Sequence, residues 1–169
     1  EQKNYEQAFS YKSRLWVVTQ AWNEKSNDVW KDIESTFVSA RETLTEEERQ
    51  MLFILDRRED IKERISPALN KGIIVLQDRF SLSTYTYGMA GGAPLKELQR
   101  LHRKILTRIY RRPDITFYID IDVRTALKRL KKSKKATDVY ETPRFLRKVR
   151  RAYLQLARKR VLARLSRLT

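Results

Sequence analysis

The chain has 169 residues, 41% of them hydrophobic and 34% charged, with four glycines, four prolines and no cysteine. This fits one domain, residues 1–169, with a packed core, and it excludes a disordered chain, disulfides and thiolate metal sites. The net charge is +16, and residues 124–169 supply most of it, with 17 basic against two acidic side chains, a block that attracts phosphates.

Taken in chain order, residues 2–11 read as the end of a helix. "RLWVVTQAW" (14–22) is rich in β-branched and aromatic residues and reads as a strand. "DVWKDIESTFVSA" (28–40) sets Val29, Ile33 and Phe37 on one helical face. Thr45 and Glu48 form a capping box that opens a helix containing Met51, Leu52, Leu55, Ile61 and Ile65. Pro67 lies late in that pattern and is expected to bend or divide it. Asn70-Lys71-Gly72 is a helix stop and turn.

"GIIVLQD" (72–78) and "DITFYIDID" (114–122) read as further strands, with apolar runs suited to burial on both faces. "GMAGG" (88–92) reads as a flexible loop. "PLKELQRLHRKILTRIY" (94–110) has helical spacing, with Pro94 in its first turn. One more helix covers 123–132, and a long one covers about 142–168. The only histidine, His102, rules out a histidine-based zinc site; in its basic helical setting it reads as a surface or packing residue. No apolar run approaches the roughly 20 residues of a membrane-spanning helix, and no secretory leader is read, so a cytoplasmic setting is expected.

Alternating strands and helices predict a three-layer α/β fold, a parallel sheet with helices on both faces. Ligands of such sheets gather at the carboxyl ends of the strands. Asp78-Arg79 ends one strand, and Asp120 and Asp122 end another. Phosphoryl transfer needs cations around the moving group and an acid acting through magnesium or bound water. Arg79 offers a bidentate fork for phosphate, and Asp78 suits a magnesium water shell. The hydroxyls of Ser81, Ser83 and Thr84 suit sugar or phosphate, although hydroxyls after a strand also cap turns and helices.

Four stretches then carry a resemblance. "MLFILDRRED" has a phenylalanine four residues before an arginine, and "ISPALNKGIIVLQDRFSLSTYTYG" runs helix, strand and loop through Asp-Arg to serine and threonine. "RRPDITFYIDIDVRTALKRL" leads into a strand through Pro-Asp, and "DVYE" precedes "FLRKVRRAYLQLA". In order and spacing, over residues 51–157, they resemble the thymidylate kinase family of P-loop nucleoside monophosphate kinases. The resemblance implies that ATP with Mg2+ donates a phosphoryl group to dTMP or a related pyrimidine deoxynucleoside monophosphate.

It also implies residue roles. Phe53 would stack on the pyrimidine, and Arg57 would fix its orientation. Asp78 and Arg79 would act near the acceptor phosphate as the catalytic pair. Ser83, Thr84 and Tyr87 would line the sugar pocket. Residues 129–141 would form a basic lid, with Arg129, Lys132, Lys134 and Lys135 over the donor phosphates. No direct metal ligand is implied. Asp120 and Asp122 are expected to cap the next turn, and a homodimer is expected.

The sequence departs from the family at several points. None of the glycines, at 72, 88, 91 and 92, precedes a Lys-Ser or Lys-Thr pair, so no Walker-type phosphate loop is present. The expectation is that this loop and its strand lie upstream, that the chain as given is poorly active or inactive, and that a C-terminal strand is missing. Gln20-Ala21-Trp22 replaces the family's Arg-Glu-Pro, and Gly88 replaces a glutamine, which bears on acceptor choice. The rival expectation is a degenerate kinase fold that binds nucleic acid through its basic residues 142–169.

Overall fold

The computed structural model describes residues 44–132 and 142–158, and the backbone of residues 15–18 and 164–168. The expected helices at 2–11 and 28–40, the Gln20-Ala21-Trp22 stretch, and Lys134 and Lys135 lie outside the described residues.

Four strands and six α-helices appear among the described residues. Strand β1 (Leu15–Val18) pairs in parallel with β2 (Ile74–Gln77), in register Leu15 to Ile74 through Val18 to Gln77. Strand β3 (Ile115–Ile119) pairs in parallel with β4 (Arg164–Leu168), in register Ile115 to Arg164 through Ile119 to Leu168. The sheets are therefore two parallel pairs. Parallel neighbours need long crossovers, which the helices provide.

Helix α1 (Glu46–Asp60) starts on the expected capping box. Thr45 Oγ1 accepts from the Glu48 amide at 3.3 Å, and Glu48 Oε2 accepts from the Thr45 amide at 2.7 Å. Pro67 divides the pattern as expected. It has no N–H to give and its ring crowds the carbonyl four residues back. The ladder relaxes into a π-turn over Ile61–Ile65, in which the Ser66 amide bonds Ile61 O, before the short helix α2 (Ser66–Asn70). Gly72, at φ 68°, then turns the chain into β2.

Helix α3 (Ser81–Gly91) corrects the reading of 88–92 as a loop: only Gly92, at φ 108°, leaves the helix, as its left-handed cap. Helix α4 (Leu95–Leu106) follows, with Pro94 at its N-cap rather than inside the first turn. A 3-10 turn (Thr107–Ile109) leads to β3. Helix α5 (Val123–Lys132) begins on Asp122, whose carboxylate accepts from the Thr125 amide at 3.0 Å, as expected.

Helix α6 (Pro143–Arg158) ends well before residue 168, and β4 follows it. The expected helix over 142–168 and the expected lack of a C-terminal strand are both corrected. Arginines three or four apart imitate a helical period there, but hydrogen bonding along β3 decides the outcome.

Two apolar clusters hold the helices. Ile54, Ile61, Ile65 and Leu106 are buried beneath Val75 and Phe80. Leu82, Tyr85, Ala93, Leu98 and Leu156 form the second cluster, against Tyr153. The expectation of strands buried on both faces is also corrected. Val75 turns into the first cluster, whereas Ile74, Leu76, Ile115, Phe117 and Ile119 are exposed.

Candidate acceptor site

The site is assembled around α3. At the end of β2 the chain must reverse into α3 within three residues, and Arg79 takes the left-handed conformation at φ 57°. For a side chain with a Cβ this is strained, by about 1 kcal/mol. The reward is geometric: the Arg79 guanidinium sits over the Tyr87 ring, 5.2 Å from its centre, two turns into α3. Asp78 and Arg79 are both exposed at this strand end. The N-cap of α3 is Phe80, which offers no capping oxygen. The positive end of the helix dipole thus lies beside Arg79, a setting that favours an anion.

Arg57 approaches α3 from α1. Its Nη1 donates to Thr84 Oγ1 at 2.8 Å, and its guanidinium lies 5.2 Å from the centre of the Phe80 ring. Both Arg57 and Thr84 are buried. Burial weakens the hold of Arg57 on its proton, and the carboxylates of Asp56 and Asp60 oppose that effect. Asp56 is itself pushed up to about 7, first by burial and then by the charge of Asp60, against the pull of Arg57 and Arg64. Asp60 is raised by burial and restrained by its Arg64 partner. Arg57 thus stands in a fixed pose, able to offer its remaining N–H groups to carbonyl acceptors of a base. Phe53, half-buried, is one turn before it on the same helix.

The four hydroxyls at the start and middle of α3 divide by role. Ser81 Oγ lies 2.8 Å from His102 Nε2. His102 is buried between Tyr85 and Tyr110 and is driven down to about 4 by burial and by nearby Arg57 and Arg103. It is therefore a neutral packing residue. Thr86 Oγ1 donates to Leu82 O at 2.9 Å, within the helix. Thr84 receives Arg57, as described, and Ser83 Oγ lies 2.8 Å from Tyr153 Oη on α6. Tyr87 is half-buried, with its ring 6.0 Å from Phe145.

Asp120 does something other than the expected capping. It takes a two-pronged bond from Arg150 of α6, at 2.7 and 2.9 Å, and also accepts from Tyr118 Oη at 3.1 Å. Arg129 and Lys132 are exposed on the last turn of α5. Arg57, Arg79, Ser83, Thr84 and Tyr87 thus converge on α3, with Phe53 and Asp78 beside two of them; Arg129 and Lys132 stand apart on α5.

Sequence reasoning passed over Phe80, Asp56 and Tyr153. Phe80 and Asp56 adjoin chosen residues. Tyr153 shares a helical face with Val149 and Leu156, so only its hydroxyl distinguished it from core.

Gly88 and Gly91 serve packing, and Gly72 and Gly92 serve a turn and a helix cap. A Cβ at Gly88 would fall 2.6 Å from Leu98 Cδ1, and one at Gly91 would meet the Glu46 side chain. They do not fit a donor-phosphate cradle. No cluster of three acidic or imidazole side chains that would hold a metal is found among the described residues. No helix among them is long and apolar enough to cross a membrane.

Comparison with known proteins gives the family. A sequence profile described as thymidylate kinase matches residues 17–165. The chain is 35% identical over 119 residues to a probable thymidylate kinase of Archaeoglobus fulgidus, covering 70% of this chain and 58% of that protein. It is 34% identical over 139 residues to a thymidylate kinase of Leptospira interrogans, covering 82% and 67%. It is 38% identical over 111 residues to one of Thermosipho melanesiensis, covering 65% and 55%. The chain thus spans 58% of the Archaeoglobus protein's length. With the match running almost end to end and the Asp-Arg strand end feeding the α3 site, the chain belongs to the thymidylate kinase family.

Proposed function

We propose that this chain is a thymidylate-kinase-type phosphotransferase, whose reaction moves the γ-phosphoryl group of ATP to dTMP or a related pyrimidine deoxynucleoside monophosphate. The observation that carries this reading is the convergence of two arginines on one helix: Arg57 at Thr84 and Arg79 at Tyr87. Thr84 and Tyr87 are three residues apart, so they share a face of α3. One cation stands where a base is read and the other where a phosphate arrives.

In this reading Phe53 stacks on the pyrimidine and Arg57 meets its carbonyl oxygens. Ser83 and Tyr87 hold the sugar side. Arg79, with the N-terminus of α3, takes the acceptor phosphate and neutralises its charge as the new bond forms. Asp78 stands beside that phosphate and orients water or the magnesium hydration shell; ATP and Mg2+ supply the phosphoryl group and its charge screening. The described residues build no glycine cradle and no metal-holding cluster for the donor. Arg129 and Lys132, with Lys134 and Lys135 beyond the described residues, are the cations proposed for the donor phosphates, within a basic lid over 129–141.

A single domain over residues 1–169, a continuous three-layer sheet of the P-loop type, a homodimer and a cytoplasmic setting accompany this reading.

Calorimetry with dTMP, dCMP and dGMP tests the proposal. Pyrimidine nucleotides should bind and dGMP should not, and Arg57→Ala should weaken dTMP by roughly tenfold or more, as expected for loss of a charged hydrogen bond. Equal binding of the purine, or dTMP binding untouched in Arg57→Ala, would refute it.

A further inference from the structure

Ser83 behaves unlike Thr86 on the same helix. A serine or threonine inside a helix commonly bonds back to the carbonyl one turn earlier, and Thr86 does so. Ser83 Oγ instead reaches Tyr153 Oη, 70 residues away along the chain, at 2.8 Å.

Tyr153 is braced against strand β3. Its ring stacks on Tyr118 of β3, with centres 4.9 Å apart and planes within 10°. Tyr118 Oη donates to Asp120, whose side chain is only 3% exposed. Asp120 in turn is gripped by both prongs of Arg150, one turn before Tyr153 on α6. Strand β3 and helix α6 therefore form a closed loop of contacts, Arg150 to Asp120 to Tyr118 to Tyr153, with the Tyr153 hydroxyl at its outer end. Burial and the Asp120 charge keep the Tyr118 phenol in its O–H form, so that bond persists across neutral pH. Phe145 against Tyr87 is a second contact from α6 to the same face of α3.

We infer that Tyr153 is a positioning residue for acceptor binding: by donating its phenolic hydrogen to Ser83 Oγ, it turns the Ser83 hydroxyl hydrogen toward the nucleotide. This rests on α3 being the acceptor site. The chemistry fixes the direction. A phosphate oxygen or the deoxyribose ring oxygen only accepts, so toward such an atom, as distinct from the sugar hydroxyl, which can do either, Ser83 must donate. A hydroxyl has one hydrogen, so its bond to Tyr153 must then be one it accepts. Without the phenol, the Ser83 hydrogen is free to rotate to a helix carbonyl, as Thr86 does.

The test is dTMP calorimetry on the wild type, Ser83→Ala, Tyr153→Phe and the double variant, paired with urea unfolding of all four without nucleotide. Tyr153→Phe keeps the stacked ring. Each single change should weaken dTMP roughly five- to tenfold, the size of one hydrogen bond. The double variant should be no weaker than Ser83→Ala, because the two act as one unit. The unfolding data should show the same non-additivity, which reports the bond without any ligand. Tyr153→Phe binding dTMP as tightly as wild type, while Ser83→Ala is weakened, would overturn the role of Tyr153 and leave the acceptor site standing. Additive effects on binding would overturn it as well. A wild type that binds neither dTMP nor dCMP would overturn both readings together.

Discussion

Replacing Asp56 with asparagine tests the buried charge system behind Arg57. Asp56 is 9% exposed and is raised from 3.8 to about 7 by burial and by Asp60, against Arg57 and Arg64. The fold therefore prefers the protonated acid. Its contribution to stability is fully present below about pH 3.8 and is lost as pH rises toward 7, since the folded state holds a proton that the unfolded chain releases. At 1.36 kcal/mol per pH unit this amounts to about 4 kcal/mol at the limit. His102 has the opposite sign. Lowered from 6.5 to about 4, it favours the neutral ring, and stability falls by about 3 kcal/mol as pH drops through that window. Between about pH 4 and 6.5 the slopes from Asp56 and His102 nearly cancel, and Asp60 adds a slope of the same sign as Asp56. Asparagine at 56 mimics the protonated acid. Urea unfolding at half-unit steps from pH 4 to 8 should show the variant matching wild type near pH 4 and exceeding it increasingly up to pH 7. A difference between the two that does not change with pH would refute the buried-acid account.

Gly88→Ala should lower stability by about 1–3 kcal/mol, because its Cβ would press on buried Leu98; an unchanged melting temperature would show that α4 yields freely. At position 79, glycine should be more stable than alanine by about 1 kcal/mol, since only glycine adopts φ 57° without strain, while both variants lose dTMP affinity. Comparing their melting temperatures and calorimetric affinities separates backbone strain from guanidinium chemistry. Thr84→Val should cost about 2 kcal/mol in urea unfolding, by leaving a buried Arg57 N–H without its partner, and should weaken dTMP as well.

Local signals in the sequence carried a long way. Thr45 and Glu48 marked a helix start, Pro67 its division, Asn70-Lys71-Gly72 its end and Asp122 the next cap. Each of these is decided by atoms within a few residues, so the chain itself states them. The misreadings occurred where distant contacts decide. "GMAGG" has poor intrinsic helix preference, yet it remains helical through Ala90 and Gly91, because α3 is held against α1, α4 and α6. "RLSRL" looks helical by its arginine spacing, and becomes a strand because β3 offers a parallel edge. The exposed faces of β2 and β3 were likewise illegible, since an apolar run does not say which side the helices will take.

The site shows the same division between local and distant causes. Asp78-Arg79 could be placed from the end of an apolar run alone, whereas Phe53 and Arg57 were marked only by the resemblance to thymidylate kinases. What those residues hold was set by the approach of α1, α4 and α6 to a single helix. On α3 the apolar side chains of Leu82 and Tyr85 face the second cluster, and Gly88 admits Leu98. Ser81 and Thr86 are used up by His102 and by the helix itself. Ser83 and Thr84 are the two hydroxyls whose partners come from other elements and belong to the polar network around the site. The glycine that stands where the family has glutamine is thus a condition of α3 and α4 packing closely. Reintroducing a side chain at 88 would disturb the helix that carries both arginine contacts, so under the proposed reading selectivity among bases falls to Phe53 and Arg57 on α1.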